Sequence, residues 1–239
     1  RSLSQVFVSG EALTHDLLLQ FCSRLDARLH NLYGPTEAAV DVTWWPAEPR
    51  PDQRVPIGRP IDNIQIHILD AESHPVPIGQ TGELCIGGVG LARGYLNRPE
   101  LTAEKFIRDP FCAQPDARLY RTGDEARFLD DGQIEVLGRF DSQVKLRGFR
   151  IELGEIENTL KSHPGISDAV VLVQDPGSED PKLVAYVVAQ GLDKKTIRDF
   201  VKARLPEYMA PNRVQFVEQI PVTAHGKTDR QALLAADGS

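Results

Sequence analysis

The sequence has few cysteines, a single methionine, no long apolar run and no surplus of positive charge. Its three cysteines, Cys22, Cys85 and Cys112, are odd in number and have no CxxC spacing, which argues against a disulfide framework or a cysteine-built zinc site. The 27 Lys and Arg residues are outnumbered by 34 Asp and Glu, leaving a net charge of -7. That balance excludes a broad nucleic-acid-binding surface, because such affinity comes from counterions released by clustered Lys and Arg, so no nucleic acid partner is expected. No apolar stretch reaches the ~18 residues that a membrane helix needs, and no charged-then-apolar leader opens the chain. No membrane association is therefore expected, and a cytoplasmic location follows by default. The only methionine is Met209, and Arg1 stands at the edge of a strand-like segment, so further sequence is expected upstream.

With 41% hydrophobic and 26% charged residues, the composition is that of a folded protein rather than a disordered one. At 239 residues the chain suffices for one large domain or two smaller ones. The opening VFVSGEAL reads as a strand, and Thr14 is a suitable cap for the helical pattern Leu17, Leu18, Phe21 and Leu25. Residues 29 to 43 read as a second strand, interrupted by Tyr33-Gly34-Pro35-Thr36 and resumed at Ala38 to Thr43. From Pro56 to Leu137 short β-runs alternate with turns, and Asp131-Gly132 marks a hairpin. After Gly138 the pattern changes to a strand pair near Val144 to Ile151, a helix from Leu153 to Ser162, two β-runs, a helix from Lys194 to Arg204 and a final strand VQFVEQI. The expected fold class is α/β and α+β. Residues 1–140 would form the end of a large core with a small β subdomain, and residues 141–239 a compact α+β unit.

Several short motifs hold chemistry-bearing side chains. In Tyr120-Arg121-Thr122-Gly123-Asp124 a carboxylate follows a glycine turn at the end of a β-run, where it can accept two hydrogen bonds from vicinal hydroxyls, as acidic residues do with ribose. Lys145 in VKLRGFR and Lys227 in HGKTDR are cations beside glycines. Gly-Lys-Thr without a preceding glycine-rich run is no phosphate loop of the Walker type. No Ser-His-Asp or Cys-His set stands out, and His225 beside the lysine is assigned a structural or solvent role.

The pieces gain force from their order. NLYGPTEAAV at 31–40, GELCIGGVGLARGYL at 82–96, YRTGD at 120–124, GRFDSQVKLRGFRIELGEIE at 138–157, LPEYMAPN at 205–212 and GKTDR at 226–230 resemble the later core motifs of the adenylate-forming superfamily, in that family's order. Their form resembles the nonribosomal peptide synthetase adenylation branch. The resemblance covers essentially the whole chain and implies the later half of an adenylation domain. Such a domain activates an amino acid with ATP to the aminoacyl-AMP and passes it to the phosphopantetheine thiol of a peptidyl carrier protein. The N-terminal half of the core, with its phosphate loop, would be a necessary partner, and the chain alone is not expected to be active.

Carried over by position, the resemblance implies that Tyr33 stacks on adenine, that Ser9, Gly10 and Glu11 line the purine edge, and that Thr36 touches the α-phosphate. Glu37 would help hold Mg²⁺. Asp124, assisted by Arg139, would bind the ribose hydroxyls. Lys227 would bridge the substrate carboxylate and the α-phosphate, where attack on ATP builds charge that a cation stabilises. Asp141 would be the hinge of a C-terminal unit that alternates between an adenylating pose and a thioester-forming pose, the latter presenting the loop around Lys145.

The acyl pocket positions read Phe7, Ser9, Leu32, Val40 and Asp41, a set that resembles serine-activating domains, including those of enterobactin-type siderophore synthesis. L-serine is the expected substrate. Two other readings stay open: a non-catalytic docking module for a carrier or partner, and an acyl- or aryl-CoA synthetase fragment.

Overall fold

Local chemistry accounts for the first elements of the chain. Strand β1 (Gln5–Val8) lies parallel to β2 (Arg28–Tyr33), and the crossover between them is helix α1 (His15–Arg24). Thr14 starts that helix by accepting the Leu17 N–H on its hydroxyl at 3.3 Å, the usual satisfaction of an orphan first-turn donor. Strand alternation sends Val6, Val8 and Leu29 into a cluster with Leu13, Leu18 and Trp45. Antiparallel β3 (Thr43–Pro46) and the short β4 (Arg59–Pro60) complete this four-stranded sheet.

The computed structural model describes residues 3–141, 143–146, 148–175, 181–223 and 228–236. It divides into two units, Arg1–Asp141 and Ser142–Ser239. The second sheet of the first unit contains β5 (Ile64–Leu69), β6 (Gly82–Gly88), β7 (Phe106–Arg108), β8 (Arg118–Phe128) and β9 (Ile134–Arg139), in the order β5-β6-β8-β7 with β9 also on β8. Helix α2 (Pro99–Lys105) precedes β7. Ile66, Ile68, Leu84, Ile86, Tyr120 and Ile134 form its core together with Tyr33 and Val42 of the first sheet's segment.

Two details differ from the sequence reading. The chain does not resume a strand at Ala38: Thr36–Ala38 is a single 3-10 turn, Ala39 and Val40 take left-handed φ values of 60° and 76°, and the strand restarts only at Thr43. The Pro35 carbonyl accepts both the Ala38 and the Val40 N–H, so local turn bonds replace the ladder. Asp124 does not end a β-run either. It lies inside the eleven-residue β8, where Gly123 at φ 77° forms a bulge in the pairing with β6.

The second unit is a three-stranded sheet of β12 (Ile166–Gln174), β13 (Lys182–Ala189) and β14 (Arg213–Phe216), preceded by the hairpin β10 (Gln143–Leu146) and β11 (Phe149–Glu152). Helices α3 (Leu153–Lys161) and α4 (Lys194–Lys202) bury Leu153, Ile156, Leu160, Ile197 and Val201 against Val171, Ala185 and Val187. Each large aliphatic side chain so buried stabilises the fold by roughly 1.5–3 kcal/mol. A separate cluster of Val170, Leu172, Val184 and Tyr186 includes Leu233 of α5 (Arg230–Ala236). The mixed α/β and α+β class read from the sequence is the one observed. Among the described residues no helix is long and apolar enough to cross a membrane.

Candidate functional site

The first unit places Ser9, Gly10, Glu11 and Tyr33 at the carboxyl ends of its parallel strands β1 and β2, where open α/β sheets commonly bind ligands. Ser9, Gly10 and Glu11 follow β1 and are exposed, with Gly10 at φ 89°. Tyr33 ends β2 and is buried, 8% exposed, within the hydrophobic core. Its hydroxyl donates to Asp124 Oδ2. Burial, and then the charge and hydrogen bond of Asp124, push the Tyr33 phenol well above its ordinary range, so it remains a protonated donor.

Asp124 is itself buried, 6% exposed, and its other oxygen accepts from Arg139 Nη1. The antiparallel register of β8 and β9 places the two residues directly opposite each other. Arg139 also donates from Nη2 to the Thr122 carbonyl at 2.9 Å, and from Nε and Nη2 to the two Asp141 oxygens, both at 2.7 Å. Thr122 ties the strand in turn: its hydroxyl donates to the Leu84 carbonyl at 2.7 Å and accepts the Asp124 N–H at 2.9 Å. Tyr33, Asp124, Arg139 and Asp141 are thus one continuous polar chain. A carboxylate offers about four lone-pair directions; the tyrosine and arginine occupy two at Asp124.

The turn between β2 and β3 is equally constrained. A Cβ on Gly34 would lie 2.3 Å from the Val40 carbonyl oxygen, so only glycine allows the chain to fold back there. Thr36 is exposed at the start of the 3-10 turn. Glu37 is half-buried, its carbonyl accepts the Ala92 N–H at 2.8 Å, and its Oε1 accepts the Tyr95 hydroxyl at 2.6 Å. Burial first, then the bond to Glu37, raises the Tyr95 phenol far above its ordinary value, so Tyr95 too stays a donor.

On the exposed face of the first sheet, Phe7 stacks on His30 at 4.7 Å, and the Trp44 indole donates to His30 Nδ1 at 3.0 Å. Leu32 shares that face by strand alternation. Ser9 donates its hydroxyl to Asp41 Oδ1 at 2.8 Å, and Val40 is largely exposed. In the second unit Lys145 is exposed on β10, opposite Arg150 of β11, and Gly148 takes φ 77° in the turn. Lys227 and His225 lie outside the described residues. Among the described residues no group of three or more His, Cys, Asp and Glu side chains is disposed to hold a metal ion.

Sequence reasoning missed Thr122, Glu83 and Tyr95 as partners of these groups. Each stands inside a motif already singled out, but its contact lies 38 to 58 positions away, beyond any local pattern.

A buried carboxylate is thus cradled by a phenol from the end of the parallel strand β2 and a guanidinium from β9, and an α+β unit follows in the chain. The family described as "AMP-binding enzyme" matches residues 1–96, and its "AMP-binding enzyme C-terminal domain" matches residues 155–227. The chain belongs to this family, in its nonribosomal peptide synthetase adenylation branch. It is 49% identical over 235 residues to tyrocidine synthase 3 of Brevibacillus parabrevis, covering 97% of this chain and 4% of that protein. It is 48% identical over 246 residues to enterobactin synthase component F of Escherichia coli O157:H7, covering 97% and 19%. The solved structure of holo-PA1221, a synthetase protein containing adenylation and carrier domains bound to a vinylsulfonamide inhibitor, superposes with a TM-score of 0.84 at 30% identity, covering 98% of this chain and 40% of that one. The chain spans only 3% to 21% of the length of the curated relatives it matches.

Proposed function

We propose that this chain is the later half of an amino-acid-activating adenylation domain. The complete protein joins an amino acid to ATP, releasing pyrophosphate, and hands the acyl group to the phosphopantetheine thiol of a carrier protein. The observation that carries the reading is the Asp124 cradle: a carboxylate fixed by Tyr33 and Arg139, with acceptor directions remaining for a pair of ribose hydroxyls.

In the first step an oxygen of the amino acid carboxylate attacks the α-phosphorus, the bond to the bridging oxygen breaks, and pyrophosphate leaves. Asp124 and Arg139 hold the ribose, Tyr33 offers its ring to the adenine, Ser9, Gly10 and Glu11 line the purine edge, and Thr36 meets the α-phosphate. Lys227 balances the charge that grows on the transferring group. A magnesium ion in nucleotide sites is held by one or two carboxylates together with phosphate oxygens and water, and the single carboxylate of Glu37, steadied by Tyr95, fits that donor set. The ion supplies charge neutralisation at the phosphates. In the second step the carrier thiolate attacks the acyl carbon and AMP leaves, with the Lys145 loop facing the arriving arm after rotation about Asp141. Domain limits near 140, and the cytoplasm as the place of work, complete the reading.

L-serine is the proposed substrate. Phe7, Leu32 and Val40 narrow the pocket, while Ser9 and Asp41, joined by a hydrogen bond, form its polar end. A side-chain hydroxyl satisfies that end, and its absence costs about 1 to 3 kcal/mol in unpaired groups. The identities to the tyrocidine and enterobactin synthases are nearly equal, so serine rests on these pocket residues alone. ATP–pyrophosphate exchange by the complete protein with L-serine, L-threonine, L-alanine and glycine tests both levels. No exchange with any amino acid would sink the adenylation reading, and a preference for alanine would sink only the serine assignment.

A further inference from the structure

Between β6 and β8 the ladder steps from Glu83↔Glu125 to Cys85↔Arg121. One residue on β6 therefore faces three on β8, and Thr122 to Asp124 bow out of register. At the crest of this bulge both peptides that flank Gly123 are held. Its N–H donates to Glu83 Oε1 at 3.0 Å, and its carbonyl accepts the Phe140 N–H at 2.9 Å. A side-chain carboxylate thus stands in for the missing ladder carbonyl. The second oxygen of Glu83 is anchored by Arg121 Nε at 2.8 Å, and the glutamate side chain is only 13% exposed.

The bulge touches the polar chain directly. A Cβ on Gly123 would lie 2.6 Å from Asp141 Oδ2 and 2.9 Å from Arg139 Nη2, so the backbone at Gly123, held on its N–H side by Glu83, is the floor on which the Arg139–Asp141 pair rests. Asp124 is the next residue, so a change in the Gly123 backbone bears directly on the position of the carboxylate that accepts from Arg139. Behind the bulge lies a cavity of about 510 Å³ lined by Glu83, Arg121, Gly123, Phe140 and Asp141 among others. Water entering it could satisfy the Gly123 N–H but would not hold the peptide in one orientation.

We propose that Glu83 is a positioning residue for the nucleotide, acting through the Gly123 peptide to set the Asp124 carboxylate and the Arg139 guanidinium. This role rests on the reading of Asp124 as the ribose-holding group. It assigns the Glu83–Arg121 pair a purpose beyond stability: Arg121 aims the carboxylate, and the carboxylate aims the bulge.

Two double variants of the complete protein separate positioning from packing. Glu83→Gln with Arg121→Gln keeps an oxygen for the Gly123 N–H, whereas Glu83→Met with Arg121→Met keeps bulk and neutrality but removes that acceptor, a replacement that ion pairs often tolerate. KM for ATP and for the amino acid are measured by pyrophosphate exchange, together with Tm. Because small misplacements of a binding group are costly, the Met pair is expected to raise KM for ATP about tenfold or more, with KM for the amino acid nearly unchanged, while the Gln pair stays within about threefold of the parent. Equal KM for ATP in the two variants overturns the role. Should the Met pair not fold, Glu83→Ala is compared with the Gln pair in the same way. Asp124→Ala, run alongside, keeps the two ideas apart. If it leaves KM for ATP unchanged, the ribose reading falls and the Glu83 role with it; if it raises KM while the Met pair does not, only the Glu83 role falls.

Discussion

Tyr33 and Asp124 stand 91 positions apart in the sequence, yet the phenol of one donates directly to the carboxylate of the other. The bond joins the end of β2 to the bulge in β8, and so couples the two sheets of the first unit at the proposed nucleotide site.

That coupling separates two substitutions of one residue. Tyr33→Phe removes the donor but keeps the ring, and in the complete protein it is expected to raise KM for ATP only a few fold, about the loss of one hydrogen bond. Tyr33→Ala also removes the stacking surface, and base–aromatic stacking is worth about 1–3 kcal/mol, so KM should rise by a further factor of about five or more. Pyrophosphate exchange, with a melting curve to check folding of this buried site, reads both. Equal effects of the two variants would contradict adenine stacking.

The two lysines are expected to divide the half-reactions. Lys227→Ala should abolish pyrophosphate exchange while ATP binding by calorimetry stays close to normal, because the charge acts in the transition state rather than on the nucleotide's main anchors. Lys145→Ala should slow acyl transfer to the carrier thiol far more than adenylation. Equal loss in both steps for Lys145→Ala contradicts the two-pose scheme.

His67 is expected to make the first unit acid-sensitive. It stacks on Phe111 at 4.4 Å, and burial holds its imidazole below the ordinary histidine range, with Asp109 opposing the shift. A histidine depressed in the folded state contributes stability above the unfolded value of about 6.5, and that stability is lost as the pH falls through the window below it, where the unfolded chain binds the extra proton. Tm should therefore decline from pH 7 to pH 5, and His67→Phe should flatten that decline. Identical slopes for parent and variant would refute this.

The cysteines should react in a set order. Cys22 is exposed, whereas Cys85 is buried in β6 and its thiol is pushed up to about 12, first by burial and then by the charge of Glu83, against the pull of Arg121. Since the thiolate is the reactive form, a thiol-specific disulfide reagent at neutral pH should modify Cys22 in the native protein and Cys85 only after denaturation. Native labelling of Cys85, located by mass spectrometry, would count against the burial argument.

What could be read in advance follows the range of the interactions involved. Thr14 capping α1, the apolar spacing of Leu153, Ile156 and Leu160, and the Asp131-Gly132 hairpin between β8 and β9 are local signals, and they appear as expected. The interruption at Tyr33 to Thr36 is there as expected, but the strand expected from Ala38 restarts only at Thr43, because the shape of this stretch depends on bonds to the Pro35 carbonyl and on the docking of Ala92 against Glu37, more than fifty positions away. Helix α2 has no buried residue, so it leaves no apolar period to detect. The candidate site was legible as motif residues, but not as a connected chain. The partners that hold it, Thr122, Glu83 and Tyr95, are reached through sheet register rather than sequence spacing.

Among the described residues, three hydrophobic clusters are built wholly from residues before Asp141 and two wholly from residues after it. Chimeras that exchange the segment beginning at residue 142 between related synthetases would therefore inherit two intact interiors. Recombination at this joint is expected to keep each interior whole, which makes the boundary a seam at which the two cores can be exchanged as units.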